Sequence, residues 1–301
     1  YYIDDLAISC FDNLEKSLGF HKTEIIPRDH NIIEHSDNLT IKKKSHNLDG
    51  EIYYYQNIPK SINNLFPAIK NFSKENDWYE IEKIDGISIS KLYLSSELTF
   101  EILKNIIDSI KNIHKCNIDN KDNNIDIYAN YSSKIKERFD NYDYSNFLNS
   151  KEIYINIIEK LEIYKNNKKG RITVIHGDPV FTNILLNSYS QLKFIDMKGK
   201  VGSTSTIYGD WLYDWAKLYQ SLIGYDEILD NNNLDLDLVY KNNMINFFKK
   251  EFIKSYSNED FQNLKLITKS LLFSLIPLHN NEKCKKYYNL IYSFYLHDKF
   301  Y

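Results

Sequence analysis

The spacing of apolar residues changes twice along this chain. In YYIDDLAISCFDNLEKSLGF they recur at helical intervals up to Gly19, which predicts a leading helix. Between residues 22 and 44 the pattern shortens to extended pieces ending in NLTIKKKS, with Leu39 and Ile41 on one face and Thr40, Lys42 and Lys44 on the other. After an Asn-Leu-Asp-Gly turn, EIYYYQNIP predicts a short helix stopped by Pro59. LFPAIKNFSKENDWYEIEKIDG predicts two strands around a polar turn, Ser73 to Asn76. From Thr99 the period is helical, in FEILKNIIDSIKNIHKCN and again in KEIYINIIEKLEIYKNN, with the polar loop NIDNKDNNID between them. Near residue 171 the helical pattern breaks: RITVIH reads as a strand, and NILLN and LKFID as two more around a turn at SYSQ. Helical spacing then resumes in YGDWLYDWAKLYQSLI, LVYKNNMINFFKKEFIKSY and FQNLKLITKSLLFSLI.

The pattern predicts an α+β, two-lobe chain. A strand-rich N-terminal lobe spans residues 1–85, and a mainly helical C-terminal lobe with one embedded β-hairpin spans 86–301. Tyr1 stands where an initiator Met is expected, so residues 1–25 read either as a leading helix or as a link to an upstream domain. With 43% hydrophobic and 26% charged residues, the 301-residue chain has the balance of a soluble globular protein. A net charge of −3 and scattered lysines give no electrostatic case for nucleic acid or a membrane surface. Cys10, Cys116 and Cys284 are too far apart for a CxxC metal site and odd in number, which points to a reducing cytoplasm. No apolar run approaches the roughly 20 residues of a membrane span. The 25 tyrosines read as half-buried packing rather than an aromatic cage.

Candidate chemistry sits in HGDPVFTN, residues 176 to 183. If NILLN and LKFID pair antiparallel, Asn183 opens one strand, Asp196 closes the other, and the two meet at one end of the hairpin. Asp178, in the loop entering the first strand, lies at the same end. By itself Asp178 before Pro179 would be a turn residue, but with Asn183 and Asp196 at this spacing it becomes a catalytic candidate. An Asp and an Asn oxygen suit Mg²⁺, a hard cation that works with phosphates, and an Asp free of metal can deprotonate a hydroxyl.

His176-Gly177-Asp178, followed by Asn183 and Asp196, resembles the catalytic segment of the aminoglycoside phosphotransferase and choline kinase superfamily. These are small-molecule kinases with a protein-kinase-like fold, and the resemblance extends over roughly residues 30 to 290. It implies that NLTIK is the strand carrying the phosphate lysine, Lys42, with Lys44 on the same side as the alternative. Glu51 would be the ion-pair partner, although the gap from Lys42 is short for the family. WYEIEKIDG resembles the hinge between lobes, whose backbone from Glu82 to Ile84 would bond adenine. Gly209-Asp210 and Asp214-Trp215-Ala216 resemble a helix start that buttresses the catalytic loop; helix-capping or first-turn acids are the other reading of Asp210 and Asp214. His176 reads as a structural support of the loop, and Trp211 and Trp215 as packing.

Two departures from the family stand out. No glycine lies between Gly19 and Gly50, so a loop covering phosphates would use His35, Ser36 or Asn38. Met197-Lys198-Gly199 replaces the Trp-Glu frequent after the metal Asp. The expected activity is Mg²⁺-dependent transfer of a phosphoryl group from ATP or GTP to a hydroxyl of a small molecule: a sugar, an amino alcohol such as choline or ethanolamine, or an aminoglycoside. SLIPLHNNEKCKKYYNLI resembles bacterial surface-polysaccharide kinases, which implies a fused or neighbouring nucleotidyltransferase as partner. A nucleotide-binding pseudokinase scaffold is the alternative, and a protein kinase a third, against which stand the HGD loop and the lack of an Ala-Pro-Glu segment.

Overall fold

Two strands, β1 (Ile32–His35) and β2 (Thr40–Lys44), pair antiparallel with Ile33 opposite Lys43. The computed structural model describes residues 32–35, 39–116, 125–230, 236–279 and 281–300; the expected leading helix, Ser36 and Asn38 lie outside them. Helix α1 (Asp49–Asn57) follows, and Asp49 and Gly50, expected in a turn, form its first turn instead. Asp49 and Glu51 there complement the positive end of the helix dipole. The helix stops just before Pro59, as its fixed φ and missing N–H require. Strands β3 (Ile69–Phe72) and β4 (Trp78–Glu82) complete an antiparallel sheet of order β1-β2-β4-β3.

The chain then changes sheets. Strand β5 (Gly86–Ser88) pairs with β7 (Ile184–Asn187), which pairs with β8 (Leu192–Phe194), so the expected hairpin gains a third strand from the segment just after β4. Ser88 caps helix α2 (Ile89–Leu94), its Oγ accepting from the Lys91 N–H at 3.3 Å. Helix α3 (Phe100–His114) starts at Thr99, whose Oγ1 accepts from the Ile102 N–H. Its Leu103, Ile106, Ile107, Ile110 and Ile113 recur every three or four residues, and all are buried. Helices α4 (Ser132–Asp140) and α5 (Ser150–Asn166) precede strand β6 (Ile172–Val174).

Short ribbons β9 (Lys200–Val201) and β10 (Thr204–Ser205) lead into β11 (Tyr208–Asp210), which pairs with β6 and delivers the chain into helix α6 (Trp211–Gln220). A π-helical segment, Ser221–Tyr225, with Gly224 at φ 138°, joins α6 to α7 (Asp226–Leu229). The described chain ends with α8 (Leu238–Ser255), α9 (Asn258–Leu275) and α10 (Asn281–Phe300). None of the helices among the described residues is long and apolar enough to cross a membrane.

The helical region packs around α9, which meets α4, α5, α6, α8 and α10. Ser257 and Asp260 form a capping box at its start, and every side chain from Leu266 to Leu275 is buried. Polar groups survive there because they turn back on the helix: the hydroxyls of Thr268, Ser270 and Ser274 donate to the carbonyls of Leu264, Ile267 and Leu271. Trp211 and Trp215 are packing residues, against Phe252 and Tyr256.

Ile107 lies in the middle of the buried face of α3 with no exposed surface. Ile107→Ala is expected to cost about 2–5 kcal/mol of unfolding free energy, because the lost methyl groups leave a cavity. Lys104→Ala, which removes the exposed ion pair with Asp108 on the same helix, should leave the urea midpoint unchanged.

Candidate active site

Lys43 is the residue on which the site turns. Strand alternation puts it on the face opposite Lys42 and Lys44, beside Ile41, and there it is only 7% exposed. Its Nζ is 2.8 Å from Glu51 Oε2 on α1 and 2.9 Å from Asp196 Oδ1 just beyond β8. Burial works against its charge, but Asp196 and Glu51 outweigh it, and the Lys43 pKa lies above the ordinary lysine value. Burial also raises the Glu51 pKa, with the Asp196 charge adding to it; Lys43 and the Tyr79 hydroxyl, which donates to Oε2 at 2.5 Å, oppose the rise.

The expectation of Lys42 or Lys44 as the partner of Glu51 is therefore corrected. Lys42 lies over the Trp78 ring, 3.7 Å from its centroid, and Lys44 pairs with the exposed Glu34. A lysine that serves a cleft must leave the strand on its apolar, inward face, and the polar face taken from the alternation is the outer one.

Asp196 occupies the left-handed region at φ 59°, a conformation that aspartate tolerates better than most residues. The chain can turn there because Gly199 follows at φ 57°, where a Cβ would stand 1.8 Å from the Gly50 oxygen at the start of α1. That close approach brings Glu51 to the Asp196 segment. Asn183 ends a 3₁₀ turn (Phe181–Asn183), and its carbonyl accepts from the Ile195 N–H, so hairpin pairing does bring the ends together. Its Nδ2 donates to the Asp178 carbonyl at 2.9 Å, which fixes the amide with Oδ1 as the end available to a cation. A hard-oxygen set this small, one amide and one carboxylate, fits Mg²⁺ carried in on phosphates.

The Asp178 carboxylate is 2.9 Å from Lys217 Nζ on α6. Its loop is held from behind by a second carboxylate. Asp214, fully buried, accepts from the N–H groups of His176 and Gly177 at 2.9 and 2.8 Å, and lies 3.0 Å from His114 Nε2 at the end of α3. Gly177 sits at φ 87°, with Lys198 where a Cβ would be. His176 has no exposed surface, burial lowers its pKa, and its Nδ1 accepts from the Asp178 N–H, so it acts as a neutral clamp. Asp210 is a further buried support. It accepts from the hydroxyls of Tyr131 and Tyr164, both at 2.7 Å, and burial raises its pKa against those hydrogen bonds.

At the hinge, Glu82 and Lys83 use their N–H groups on Ala68 and Leu39, whereas Ile84 makes no backbone hydrogen bond among the described residues. Sequence spacing missed three residues of this site: Lys43, hidden by the wrong strand face, and His114 and Lys217, whose partners lie 100 and 39 positions away. A cavity of about 530 Å³ between α5, α9 and α10 contains none of these groups.

No family model matches the chain, and no curated protein matches it. Solved structures do. A choline/ethanolamine kinase family protein from Mesorhizobium loti is 8% identical with a TM-score of 0.58, over 88% of this chain and 84% of that one. The Plasmodium vivax ethanolamine kinase Pv091845 is 12% identical with a TM-score of 0.56, over 95% and 90%. A thermostable mutant of aminoglycoside phosphotransferase APH(4)-Ia, in a ternary complex with AMP-PNP and hygromycin B, is 10% identical with a TM-score of 0.59, over 88% and 92%.

The chain shares the fold of these three structures. Within that fold the π-helical segment after α6 meets the loop at residues 176–183, where Ser221 Oγ accepts from the Phe181 N–H at 3.0 Å. Behind it lies Asp226, fully buried. Burial pushes its pKa up to about 6, the Ser90 and Ser221 hydroxyls oppose that rise, and the charges of Glu227 and Asp178 add to it. Because the folded value is above the unfolded one, the stabilisation is complete below the unfolded pKa and is lost as pH rises through about 6. Asp226→Asn should therefore be more stable than the parent at pH 7.5, by about 2–3 kcal/mol, and the difference should vanish near pH 4. Urea unfolding of both proteins across that range measures it.

Proposed function

We propose that the chain is a kinase that moves the γ-phosphoryl group of ATP or GTP to a hydroxyl of a small molecule. The observation that carries this reading is the meeting of Lys43, paired with Glu51 and Asp196, with the loop bearing Asp178 and Asn183, where the Ile195 N–H donates to the Asn183 carbonyl. The structures of this fold solved with AMP, and with AMP-PNP and hygromycin B, support a nucleotide co-substrate and a small acceptor.

Lys43 neutralises the nucleotide phosphates and Glu51 fixes its direction. The free backbone of Ile84, at the end of the Glu82 to Ile84 hinge, receives the base. Asn183 and Asp196 would hold Mg²⁺, which would supply positive charge against the nucleotide phosphates. Asp178 accepts a hydrogen bond from the acceptor hydroxyl, orients it and takes its proton as the new O–P bond forms and the bond to the β-phosphate oxygen breaks, releasing the nucleoside diphosphate. Asp214, His176 and His114 keep the loop in register, and Asp210 anchors the start of α6. The Lys217 ion pair and the hydrogen bond from Asn183 Nδ2 to the Asp178 carbonyl position both groups for transfer.

A pseudokinase scaffold remains the second reading, favoured by one observation: no glycine lies between β1 and β2 to approach phosphates closely. Asp178→Asn should lower transfer by about 10³-fold or more while nucleotide affinity stays within a few-fold. Lys43→Met should instead weaken nucleotide binding. A single-turnover assay with γ-labelled ATP and a panel of hydroxyl compounds, alongside nucleotide titrations, reads both; wild-type turnover in Asp178→Asn would sink the mechanism.

A further inference from the structure

Around Asp178 the cleft is lined by cations. Lys217 Nζ touches its carboxylate at 2.9 Å. Tyr213, one turn earlier on α6, is 5% exposed; Lys198 Nζ lies 3.4 Å from its hydroxyl and 4.9 Å from its ring centroid, and Lys217 Nζ lies 6.0 Å from that ring. Lys134, on α4, acts electrostatically on the same hydroxyl. Arg138, one turn further along α4, donates to the Ser274 carbonyl and adds its charge to Lys134. These groups come from three separate parts of the chain, α4, the segment after β8, and α6. Among the described residues no carboxylate lies within ion-pair distance of Lys134 or Lys198, and the carboxylate that meets Lys217 is that of Asp178.

Two consequences of that imbalance can be read in the side chains. Burial alone would raise the Tyr213 pKa, yet Lys198, Lys134 and Lys217 bring it down to about 8 against the Asp178 charge. Tyr213 in turn favours the charged form of Lys134, but burial and the charges of Lys198, Arg138 and Lys217 bring that lysine down to about 8. Both shifts report uncompensated positive potential where an acceptor must lie to reach Asp178. A quaternary ammonium or a polyamine placed beside Lys134 and Lys198 meets like charge, and each of these lysines should cost it about tenfold in affinity or more.

We propose that the acceptor carries an anionic group, a carboxylate or a phosphate, beside the hydroxyl it presents to Asp178, and that Lys134, Lys198 and the Tyr213 hydroxyl bind that group. The inference deepens the kinase reading above and rests on it. Lys217, already paired with Asp178, holds the base in place while the two unpaired lysines receive the acceptor's charge.

The test uses the full chain with its nucleotide site saturated by Mg·AMP-PNP, so that Lys43 is occupied. Gluconate, glycerol 3-phosphate, glucose, choline and streptomycin are then titrated by calorimetry. Binding of gluconate or glycerol 3-phosphate, with choline and streptomycin at least tenfold weaker, is the expected result, and which of the two binds separates carboxylate from phosphate. Lys134→Met should weaken the bound anion tenfold or more, and Lys134→Arg should restore it. Tighter binding of choline, streptomycin or glucose than of either anion overturns the proposal, as does failure of both anions to bind. It is also overturned if Lys134→Met weakens Mg·AMP-PNP and leaves anion binding unchanged, because the lysines would then serve the nucleotide. If Mg·AMP-PNP itself does not bind, the kinase reading falls, and the acceptor proposal falls with it.

Discussion

A buried ammonium flanked by two carboxylates ties the halves of this molecule together. Lys43 leaves the four-stranded sheet, Glu51 sits on the helix that follows, and Asp196 comes from the hairpin more than 150 positions later. Such a group is expensive to desolvate, and its attraction to the carboxylates offsets that only while both are in place. The arrangement therefore selects one relative placement of sheet, helix and hairpin, and the contact of Gly199 with Gly50 permits it. In the proposed reaction it also leaves Lys43 poised between partners, since incoming phosphates and Mg²⁺ compete for Lys43 and Asp196 respectively. A preformed ion pair of this kind keeps both groups oriented before a nucleotide binds in the proposed reaction, which lowers the reorganisation that binding requires.

Behind this lie buried acids with a different task. Asp214 and Asp210 touch no open surface and spend their oxygens on loop N–H groups, tyrosine hydroxyls and a histidine. Each anchors a backbone turn that hydrophobic packing alone would leave loose, one at the His176-Gly177 step and the other where β11 becomes α6. Helix α9 and its neighbours supply the rigid apolar mass to which those anchors are fixed. Precision at Asp178 thus derives from hydrogen bonds made several residues away, and the helical core converts them into fixed geometry.

Much of this was legible in the residue pattern, and what was not has identifiable causes. The hairpin and α3 announced themselves because each buries one face, so period and burial coincide. Helix α4 did not, since Ile135 is its only fully buried side chain. Strand β5 is three residues long, and its pairing with β7 depends on a partner some hundred positions away. The lysine was misplaced for a related reason. Alternation separated the two faces of β2 correctly, but a charged residue was assigned to the polar face, whereas a cleft beneath a sheet draws its cation from the apolar one. His114 and Lys217 show the same limit: on a helix they look like any half-buried polar residue, and only tertiary pairing with Asp214 and Asp178 gives them a role.

The cations around Asp178 pose a chemical problem that the arrangement also answers. A neighbouring lysine stabilises the carboxylate anion and so weakens it as a base. In phosphoryl transfer with a loose transition state, however, little proton transfer has occurred when the phosphorus–oxygen bond to the leaving group is largely broken, and orientation of the hydroxyl matters more than basicity. A carboxylate fixed 2.9 Å from Lys217 is suited to that demand. The positive field that holds the Asp178 carboxylate in place also favours an approaching anion in the proposed reaction. On this view Lys217 and the unpaired Lys134 and Lys198 form one electrostatic design, in which the base is held ready and the acceptor is chosen by its charge.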